Sequence, residues 1–175
     1  RENLIDLIRE QVVLQRSAQS GISFDFDGGQ EPVELECDQR QIRQVLTNLL
    51  QNAIDAIQMA ETNGTEAPRR HVSVSVHREE SRVIVDVDDT GRGLPDKDRE
   101  RLTEPYVTTR EKGTGLGLAI VKRIMEDHSG SISLMDRDEG GTRVRLTFRD
   151  TANGQDNDDR SQSDKSVPGL SSHGA

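Results

Sequence analysis

The sequence has little of several features that would identify common classes of protein. Cys37 is the only cysteine among the 175 residues, so an intrachain disulfide is excluded, and we expect Cys37 to be a buried small residue in a reducing compartment. No run approaches the roughly 20 apolar residues of a membrane helix, and no secretory signal is visible. A formal net charge of -9 argues against a nucleic-acid-binding surface. Together these absences favour a cytoplasmic protein.

Apolar side chains make up only 31% of the sequence and are unevenly distributed. Residues 151–175 hold only Val167 and Leu170 as sizeable apolar side chains, so burial there cannot offset the entropy of ordering the chain. We therefore expect one folded domain over residues 1–150 and a disordered tail over 151–175. The first helical pattern starts at Leu4 with no initiator methionine before it, so we expect a fragment of a longer protein.

Apolar periodicity predicts three long helices, at 2–18, from Asp38 to about 60, and from about 116 to 128. Gln41, three residues after Asp38, indicates a capping box. Strict alternation predicts strands at 22–27, 33–37, 71–77, 82–88, 131–135 and 142–148. We expect the first two strands to form a hairpin through residues 28–29, and a short helix after Pro95. The fold class is then an α/β (α+β) two-layer sandwich, a mixed β-sheet with helices covering one face.

Three glycines at two-residue spacing, Gly113, Gly115 and Gly117, lead into the last predicted helix in the run GTGLGLAIVKRI. Glycines at a helix start let backbone N–H groups approach an anion closely. The spacing does not fit GxGxxG, and no Lys-Ser or Lys-Thr follows as in a Walker-A loop. We expect a phosphorylated small molecule here, with a nucleotide as the best candidate; an ordinary glycine-rich loop is the alternative.

The second predicted helix carries Asn48, Asn52 and Asp55 within about 60° of each other on its surface. Asn and Asp are poor residues for a helix interior. Three short oxygen-bearing side chains in one stripe suit a hard cation, and magnesium shared with phosphates and waters is the natural candidate. A solvated polar stripe is the alternative.

The strand at 82–88 continues into a carboxylate on its covered face. Val83, Val85 and Val87 share one face by the period of two, and Asp89 is next in that series, whereas Asp86 and Asp88 point away. A carboxylate on the covered side needs hydrogen-bond donors. The amino group of adenine would supply one, while guanine would place a carbonyl oxygen there. A turn aspartate bonded to nearby backbone N–H groups is the alternative.

The segment between these elements, about 103–114, has no periodicity and is typical of an active-site lid. Arg110 and Lys112 flank the glycine run and could reach phosphate oxygens, and Tyr106 and Thr109 lie in the same segment. Solvated loop charges are the alternative for each of the two cations.

Five segments, taken in order, resemble the ATP-binding domain of sensor histidine kinases, in the superfamily of gyrase, heat-shock chaperone and mismatch-repair ATPases (the GHKL or Bergerat fold). The resemblance covers about residues 1–150. Within it, the sequence of residues 104–128 is most similar to nitrogen-regulation sensors of the NtrY or NtrB type. The matching segments are NLLQNAIDA (48–56, N box), DDTGRG (88–93, G1 box), EPYVTTR (104–110, F box, with Tyr for the usual Phe), GTGLGLAIVKRI (113–124, G2 box) and GGT (140–142, the last glycine box).

The resemblance implies a site for ATP and Mg²⁺. Asn52 would coordinate the magnesium that bridges the phosphates, supported by Asn48, and Asp89 would bind the adenine amino group with Thr142 nearby through water. Tyr106 would anchor the lid against the body of the domain. The other nucleotide-site residues implied are Gly91 and Gly93 in the base pocket, Asp55 and Thr109, and the lid hinge and phosphate cradle Gly113, Thr114, Gly115, Leu116, Gly117 and Leu118.

The resemblance also implies a reaction: transfer of the γ-phosphate to a histidine on a separate dimerisation domain, with a response-regulator receiver domain as a further partner. Hydrolytic members carry a Glu where Asn48 stands, and an amide cannot act as a general base. Asp55 departs from the basic residue common in histidine kinases, so Arg110 and Lys112 are both candidates to steady the γ-phosphate.

The acceptor histidine is absent from this sequence, because none of the four histidines is followed by an acidic residue and then a proline. We expect the catalytic half of a two-component kinase that does not phosphorylate itself and makes no direct contact with membrane or nucleic acid, although the parent kinase can be membrane-anchored. Two alternatives stay open: an ATP hydrolase that gates a clamp or chaperone, and a non-catalytic nucleotide-dependent interaction module.

Overall fold

The computed structural model describes residues 1–62, 69–107 and 115–150, with the side chains of 61 and 62 left out. Within these residues the chain forms three α-helices, one short 3-10 helix and seven strands. In chain order they are β1 (Glu2–Asn3), α1 (Leu4–Ala18), β2 (Ser23–Asp27), β3 (Glu34–Leu35), α2 (Gln39–Thr62), β4 (His71–Glu79), β5 (Arg82–Asp89), the 3-10 helix (Arg99–Arg101), α3 (Gly117–Asp127), β6 (Ser131–Asp136) and β7 (Thr142–Arg149). The predicted tail, 151–175, lies outside the described residues.

Five of the strands form one mixed sheet in the order β2-β4-β5-β7-β6. β2 runs parallel to β4, and the other neighbours are antiparallel. All three helices pack on one face, with α2 in the middle between α1 and α3. The apolar side of each strand meets this helical layer and forms the core. The predicted fold class, a two-layer sandwich with a mixed sheet, is confirmed.

The start of α2 is fixed by Asp38, whose carboxylate accepts hydrogen bonds from the backbone N–H groups of Arg40 (2.8 Å) and Gln41 (3.2 Å). This is the N-cap interaction that satisfies donors of the first helical turn. The second half of the predicted capping box does not form. Asp38 N–H instead donates to Nε2 of His128, at 3.0 Å, which joins the start of α2 to the end of α3.

The predicted hairpin between the first two strands is wrong. β2 pairs in parallel with β4, which lies beyond the whole length of α2, and β3 pairs with β1. Asn3 holds β3 in place because its side-chain oxygen accepts the N–H of Val33 at 3.3 Å as well as the N–H of Ile5 at 3.2 Å. Alternation identifies a strand and its buried face, but it does not identify the partner strand.

No helix among the described parts of the chain combines the length and apolar character needed to cross a membrane.

The turn between β6 and β7 packs directly on the end of β5. Nη1 of Arg137 donates to the backbone oxygen of Asp89 at 2.8 Å. Gly141 lies so close that a Cβ there would overlap the same carbonyl oxygen, and its φ is +88°. Gly140 has the same φ of +88° but has open space around it. The turn therefore fixes the position of the Asp89 backbone.

We predict that Gly141→Ala destabilises the fold far more than Gly140→Ala. Both substitutions add the strain of a positive φ, about 1 kcal/mol, but only Gly141→Ala also forces Asp89 out of position. We expect a loss of unfolding free energy of at least about 3 kcal/mol for Gly141→Ala, measured by urea denaturation. Equal losses in the two variants would contradict the close packing described here.

Candidate functional site

One cavity opens between α2, the end of β5 and the start of α3. Its volume is about 840 Å³ when the solvent space at its open mouth is included. Most of the wall is apolar, with polar groups at a few places. The lining residues are Leu49, Asn52, Ala53, Ala56, Met59, Val87, Asp89, Arg92, Gly93, Leu94, Pro95, Leu102, Val107, Gly115, Gly117, Leu118, Leu134, Thr142 and Val144.

Asp89 is the buried carboxylate of this pocket, at 5% exposure. As the alternation predicts, it faces the helices. Its Oδ1 accepts hydrogen bonds from the backbone N–H groups of Gly91 (2.8 Å) and Thr142 (3.4 Å). Within residues 1–62, 69–107 and 115–150 no hydrogen bond reaches Oδ2. Oδ1 of Asp89 thus makes the predicted turn interaction, while Oδ2 is an acceptor that a ligand could use.

Burial raises the pKa of Asp89 from 3.8 to about 6. The two backbone hydrogen bonds and the charge of Arg137 act in the opposite direction, and the neighbouring charge of Asp88 adds to the increase. Desolvation is the dominant cause, because the carboxylate lies among apolar walls. At neutral pH the folded protein thus holds an ionised carboxylate in an unfavourable place.

The other two aspartates of β5 face the uncovered side of the sheet, as predicted. Each is paired with the arginine directly across on β7: Asp86 with Arg145, both N–O distances 2.8 Å, and Asp88 with Arg143, at 2.7 and 2.6 Å. The hydrogen bonds to Asp88 raise the pKa of Arg143, and those to Asp86 raise that of Arg145. These bidentate pairs fix the strand that carries Asp89.

The polar residues of α2 separate into one that lines the pocket and two that do not. Asn52 lines it and lies beside Gly117, where an added Cβ would be 3.8 Å from both side-chain ends of Asn52. Nδ2 of Asn48 donates to the carbonyl oxygen of Gly117 at 3.5 Å. Asp55, predicted to bind the nucleotide, accepts a hydrogen bond from Gln51 at 2.8 Å and is not part of the described pocket wall.

The start of α3 faces the same pocket. Leu116 is its N-cap residue, and the apolar side chain of Leu116 supplies no cap hydrogen bond. Gly117 and Leu118 line the cavity, and Leu118 also packs against the core. A helix start without a side-chain cap offers donors and partial positive charge to an anion.

Glycine residues of the G1 box have different surroundings. Gly93 lines the cavity, as predicted. Gly91 does not; a Cβ at Gly91 would lie 2.6 Å from the Cβ of Ala56, so this glycine permits β5 to approach α2. Thr142 lines the cavity and contacts Asp89 directly through its backbone N–H.

Tyr106 does not pack as predicted, because its side chain is 79% exposed. Its backbone N–H donates to the carbonyl oxygen of Gly115, one of the predicted hinge residues, at 3.0 Å. Val107, the next residue, lines the pocket instead. The remaining predicted lid residues, Thr109, Arg110, Lys112, Gly113 and Thr114, lie outside the described residues.

Sequence reasoning missed Arg137 and the apolar walls of the pocket. Leu134 and Val144 line it from β6 and β7, and their alternation assigned them only to a covered strand face. Arg137 bonds the Asp89 backbone and lies 3.5 Å from the carboxylate of Asp88. The sequence carries no signal for that role, because it depends on how the β6–β7 turn meets β5.

Comparison with known proteins gives a consistent result. A family model described as histidine kinase-, DNA gyrase B- and HSP90-like ATPase matches residues 37–152. The nucleotide-free catalytic domain of the histidine kinase ThkA is similar in structure, with a TM-score of 0.71 and 32% identity over 85% of this chain and 93% of that one. Full-length ShkA in complex with AMPPNP has a TM-score of 0.69 at 25% identity, over 84% of this chain and 30% of that one.

The curated relatives are several times longer than this chain. The nitrogen regulation protein NtrY of Azorhizobium caulinodans is 42% identical over 149 residues, which is 85% of this chain and 19% of that protein. Sporulation kinase A of Bacillus subtilis is 35% identical over 83% of this chain and 23% of its own length. The chain thus spans about a fifth of the length of the curated relatives it matches.

We predict that Asp89→Asn stabilises the protein at neutral pH. The pKa of Asp89 is higher in the folded state than in the unfolded state, so the folded state binds the proton more tightly. Protonated Asp89 therefore stabilises the fold at low pH. This stabilisation is lost as the pH rises through about 6. The amide carries no charge, so we expect the variant to exceed the wild type by about 1–3 kcal/mol at pH 7.5.

The measurement is urea unfolding of both proteins between pH 7.5 and 4, where the difference should stay level down to about pH 6 and then shrink towards pH 4. Asp25→Asn is the matched control, because the Asp25 side chain is 77% exposed. Parallel pH responses of wild type and Asp89→Asn would show that Asp89 carries no burial cost.

Proposed function

The chain belongs to the family of histidine kinase-, DNA gyrase B- and HSP90-like ATPases, and on this basis we propose that it binds Mg-ATP and transfers the γ-phosphate to a histidine of a separate dimerisation and phosphoacceptor domain. One observation carries the proposal. A single pocket holds a buried carboxylate with an open oxygen, Asp89, together with Asn52 beside the start of α3.

The Asp89 end of the pocket suits adenine. Oδ2 of Asp89 is an acceptor without a hydrogen bond among the described residues, and the exocyclic amino group of adenine is a donor. Around it the wall is apolar, with Val87, Leu134 and Val144 from the sheet, which suits the faces of a purine. Guanine would set its carbonyl oxygen against the carboxylate at the corresponding position.

The opposite end suits phosphates. Gly117 and Leu118, at the start of α3, face the cavity, and the N-cap residue Leu116 supplies no side-chain cap. Backbone N–H groups and the helix dipole then favour the negatively charged phosphates of the nucleotide. Gly117 has no side chain that would block this approach next to Asn52.

Magnesium fits this site only together with the nucleotide. Among the described residues no group of three or more His, Cys, Asp or Glu could hold a metal ion alone. Mg²⁺ commonly takes one or two protein oxygens and completes its shell with phosphates and waters, and the side-chain oxygen of Asn52 is the protein ligand we propose. When bound, magnesium neutralises charge on the phosphates.

The groups that are present support the proposed reaction. In the proposed transfer, the bond between the γ-phosphorus and the bridging oxygen of ADP breaks, a phosphorus–nitrogen bond to the acceptor histidine forms, and ADP leaves. Asn48, four residues before Asn52, is an amide held at the start of α3 and cannot activate water as a base. The chain's contribution is to position the nucleotide and stabilise charge. Arg110 and Lys112 are the proposed cations at the γ-phosphate.

We assign this role to residues 1–150 and treat 151–175 as a separate tail. The partners we propose are the phosphoacceptor domain of the same parent kinase and a response-regulator receiver domain, in keeping with the similarity of the chain to sensor histidine kinases. We place the domain in the cytoplasm. Steady release of phosphate by the chain alone would instead favour an ATP hydrolase, and nucleotide binding without any transfer would favour a nucleotide-gated interaction module.

We predict that Asp89→Asn and Asn52→Ala fail in different ways when ADP binding is measured by calorimetry with and without Mg²⁺. Asp89→Asn turns an amide donor towards the base amino group, so affinity should fall about 10- to 100-fold under both conditions. Asn52→Ala should keep the wild-type affinity without Mg²⁺ and lose the gain that Mg²⁺ gives.

Asp25→Asn, on the uncovered face of the sheet and 77% exposed, is the control and should bind as the wild type does. Unchanged ADP affinity in Asp89→Asn would refute the adenine assignment. An Asn52→Ala protein that still responds to Mg²⁺ would refute the ligand role.

The kinase activity itself is tested by adding a separately purified phosphoacceptor domain from the parent kinase or from a related sensor kinase. With γ-labelled ATP, we expect label on the added domain, none on this chain, and no transfer when the acceptor histidine is replaced by Gln. Free phosphate should not accumulate while the acceptor is absent. If ADP binds as predicted but no acceptor domain is labelled, the kinase assignment fails while the nucleotide site stands.

A further inference from the structure

The far end of the sheet carries a second concavity that the nucleotide site does not use. It is an open groove of about 770 Å³ beside the start of β5 and the end of β7. The polar side chains around it are Ser81, Arg82, Ser129, Ser131, Thr147 and Arg149. No carboxylate is among its described lining residues, although the chain as a whole is acidic.

Two arginines lie side by side at this groove. Arg82 and Arg149 are direct register partners on β5 and β7, a placement of like charges that destabilises a sheet. Within residues 1–62, 69–107 and 115–150 neither side chain has a hydrogen bond or an ion pair. The two arginines further along the same face of β7 are each paired with an aspartate.

The carboxylate of Glu79, directly across from Arg82 on β4, forms no ion pair with Arg82 or Arg149. It is bonded instead to Nε2 of His77 at 3.1 Å. Glu79 on β4 and Asp150 just after β7 are the carboxylates near this end of the sheet, and their ion pairs within the described residues are with His77 and Arg78. Arg82 and Arg149 form no ion pair within the described residues.

Hydroxyl groups surround the two arginines. Thr147 and Ser131 are register partners on β7 and β6, and Ser81 lies just before β5. Ser129, immediately after α3, has a φ of 55°, a conformation that favours glycine. Serine is strained at this positive φ, where glycine would not be, but it places a hydroxyl group at the groove.

We propose that this groove binds the phosphate group of a phosphate monoester. Two guanidinium groups match the charge of a dianion, about -1.5 to -2 at pH 7, and their planar forks suit phosphate oxygens. The four hydroxyls supply further donors, more than a carboxylate with two oxygens would use. Arg82 and Asp89 stand at opposite ends of β5, roughly 23 Å apart at the rise of a strand. The site is thus separate from the proposed nucleotide pocket, and the proposal is independent of it.

The test is an amide NMR titration of the whole chain, saturated with Mg-ADP so that the nucleotide pocket is occupied. Inorganic phosphate and glycerol 3-phosphate are added against sodium chloride at equal ionic strength. We expect the phosphates alone to shift the amides of residues 81–82, 129–131 and 147–149. Arg82→Gln and Arg149→Gln should each weaken binding about three- to tenfold, and the double variant should abolish it. Arg123→Gln, on α3 with its side chain 77% exposed, is the matched control and should bind as the wild type does.

Thermal unfolding gives an independent readout. In chloride each arginine variant should unfold about 1–3 °C above the wild type, because a like-charge repulsion is removed. Phosphate should raise the midpoint of the wild type and leave the double variant unchanged. Co-flotation with vesicles containing phosphatidic acid, lost in the double variant, would identify a lipid headgroup as the source; binding to glycerol 3-phosphate without co-flotation would identify a soluble ester.

Equal responses to phosphate and chloride, or phosphate binding that persists in the double variant, would overturn the proposal. Loss of ADP binding in Arg82→Gln would also overturn it, because it would show that the two sites are not separate.

Discussion

The burial of one carboxylate, Asp89, is the constraint on which the rest of the site depends. An ionised group among apolar walls is costly, and the fold holds it with two backbone N–H groups on Oδ1 and a guanidinium on its own carbonyl oxygen. Those donors come from three different places: the loop after β5, the start of β7 and the turn before β7. The end of β5, the β6–β7 turn and the floor of the pocket therefore have to be built together.

The two faces of β5 carry aspartates in different surroundings. On the helix-free face, Asp86 and Asp88 are each neutralised by an arginine across the ladder, and they hold β5 and β7 in register. On the helix face, a third carboxylate is held by neutral backbone donors on one oxygen, and its other oxygen has no hydrogen bond among the described residues. The alternation of the strand thus keeps Asp89 on the opposite face of the sheet from the paired arginines of β7.

Much of the fold and part of the site follow from periodicity alone. The three helices, the covered strand faces and the inward direction of Asp89 depend on local repeats, which any reading of the sequence can count. The partner of β2, the packing of Gly91 against Ala56 and the role of Arg137 depend on contacts between distant segments. The position of Tyr106 could not be predicted either. The family motif predicted that its ring packs against the body of the domain, whereas the structure leaves the ring exposed. Asn52 and Asp55 share a helical stripe, yet only Asn52 reaches the cavity.

The parallel pairing of β2 with β4 has a consequence for the order in which the chain folds. Ser23 and His71 are 48 residues apart yet lie side by side, whereas β4 and β5 are joined by a tight turn. Closing the longer loop costs more entropy before any contact repays it. During synthesis β2 leaves the ribosome long before β4 exists, so the backbone groups on the edge of β2 stay unpaired until β4 is made. The antiparallel strands β4 and β5 are adjacent in sequence and are the natural place for the sheet to nucleate.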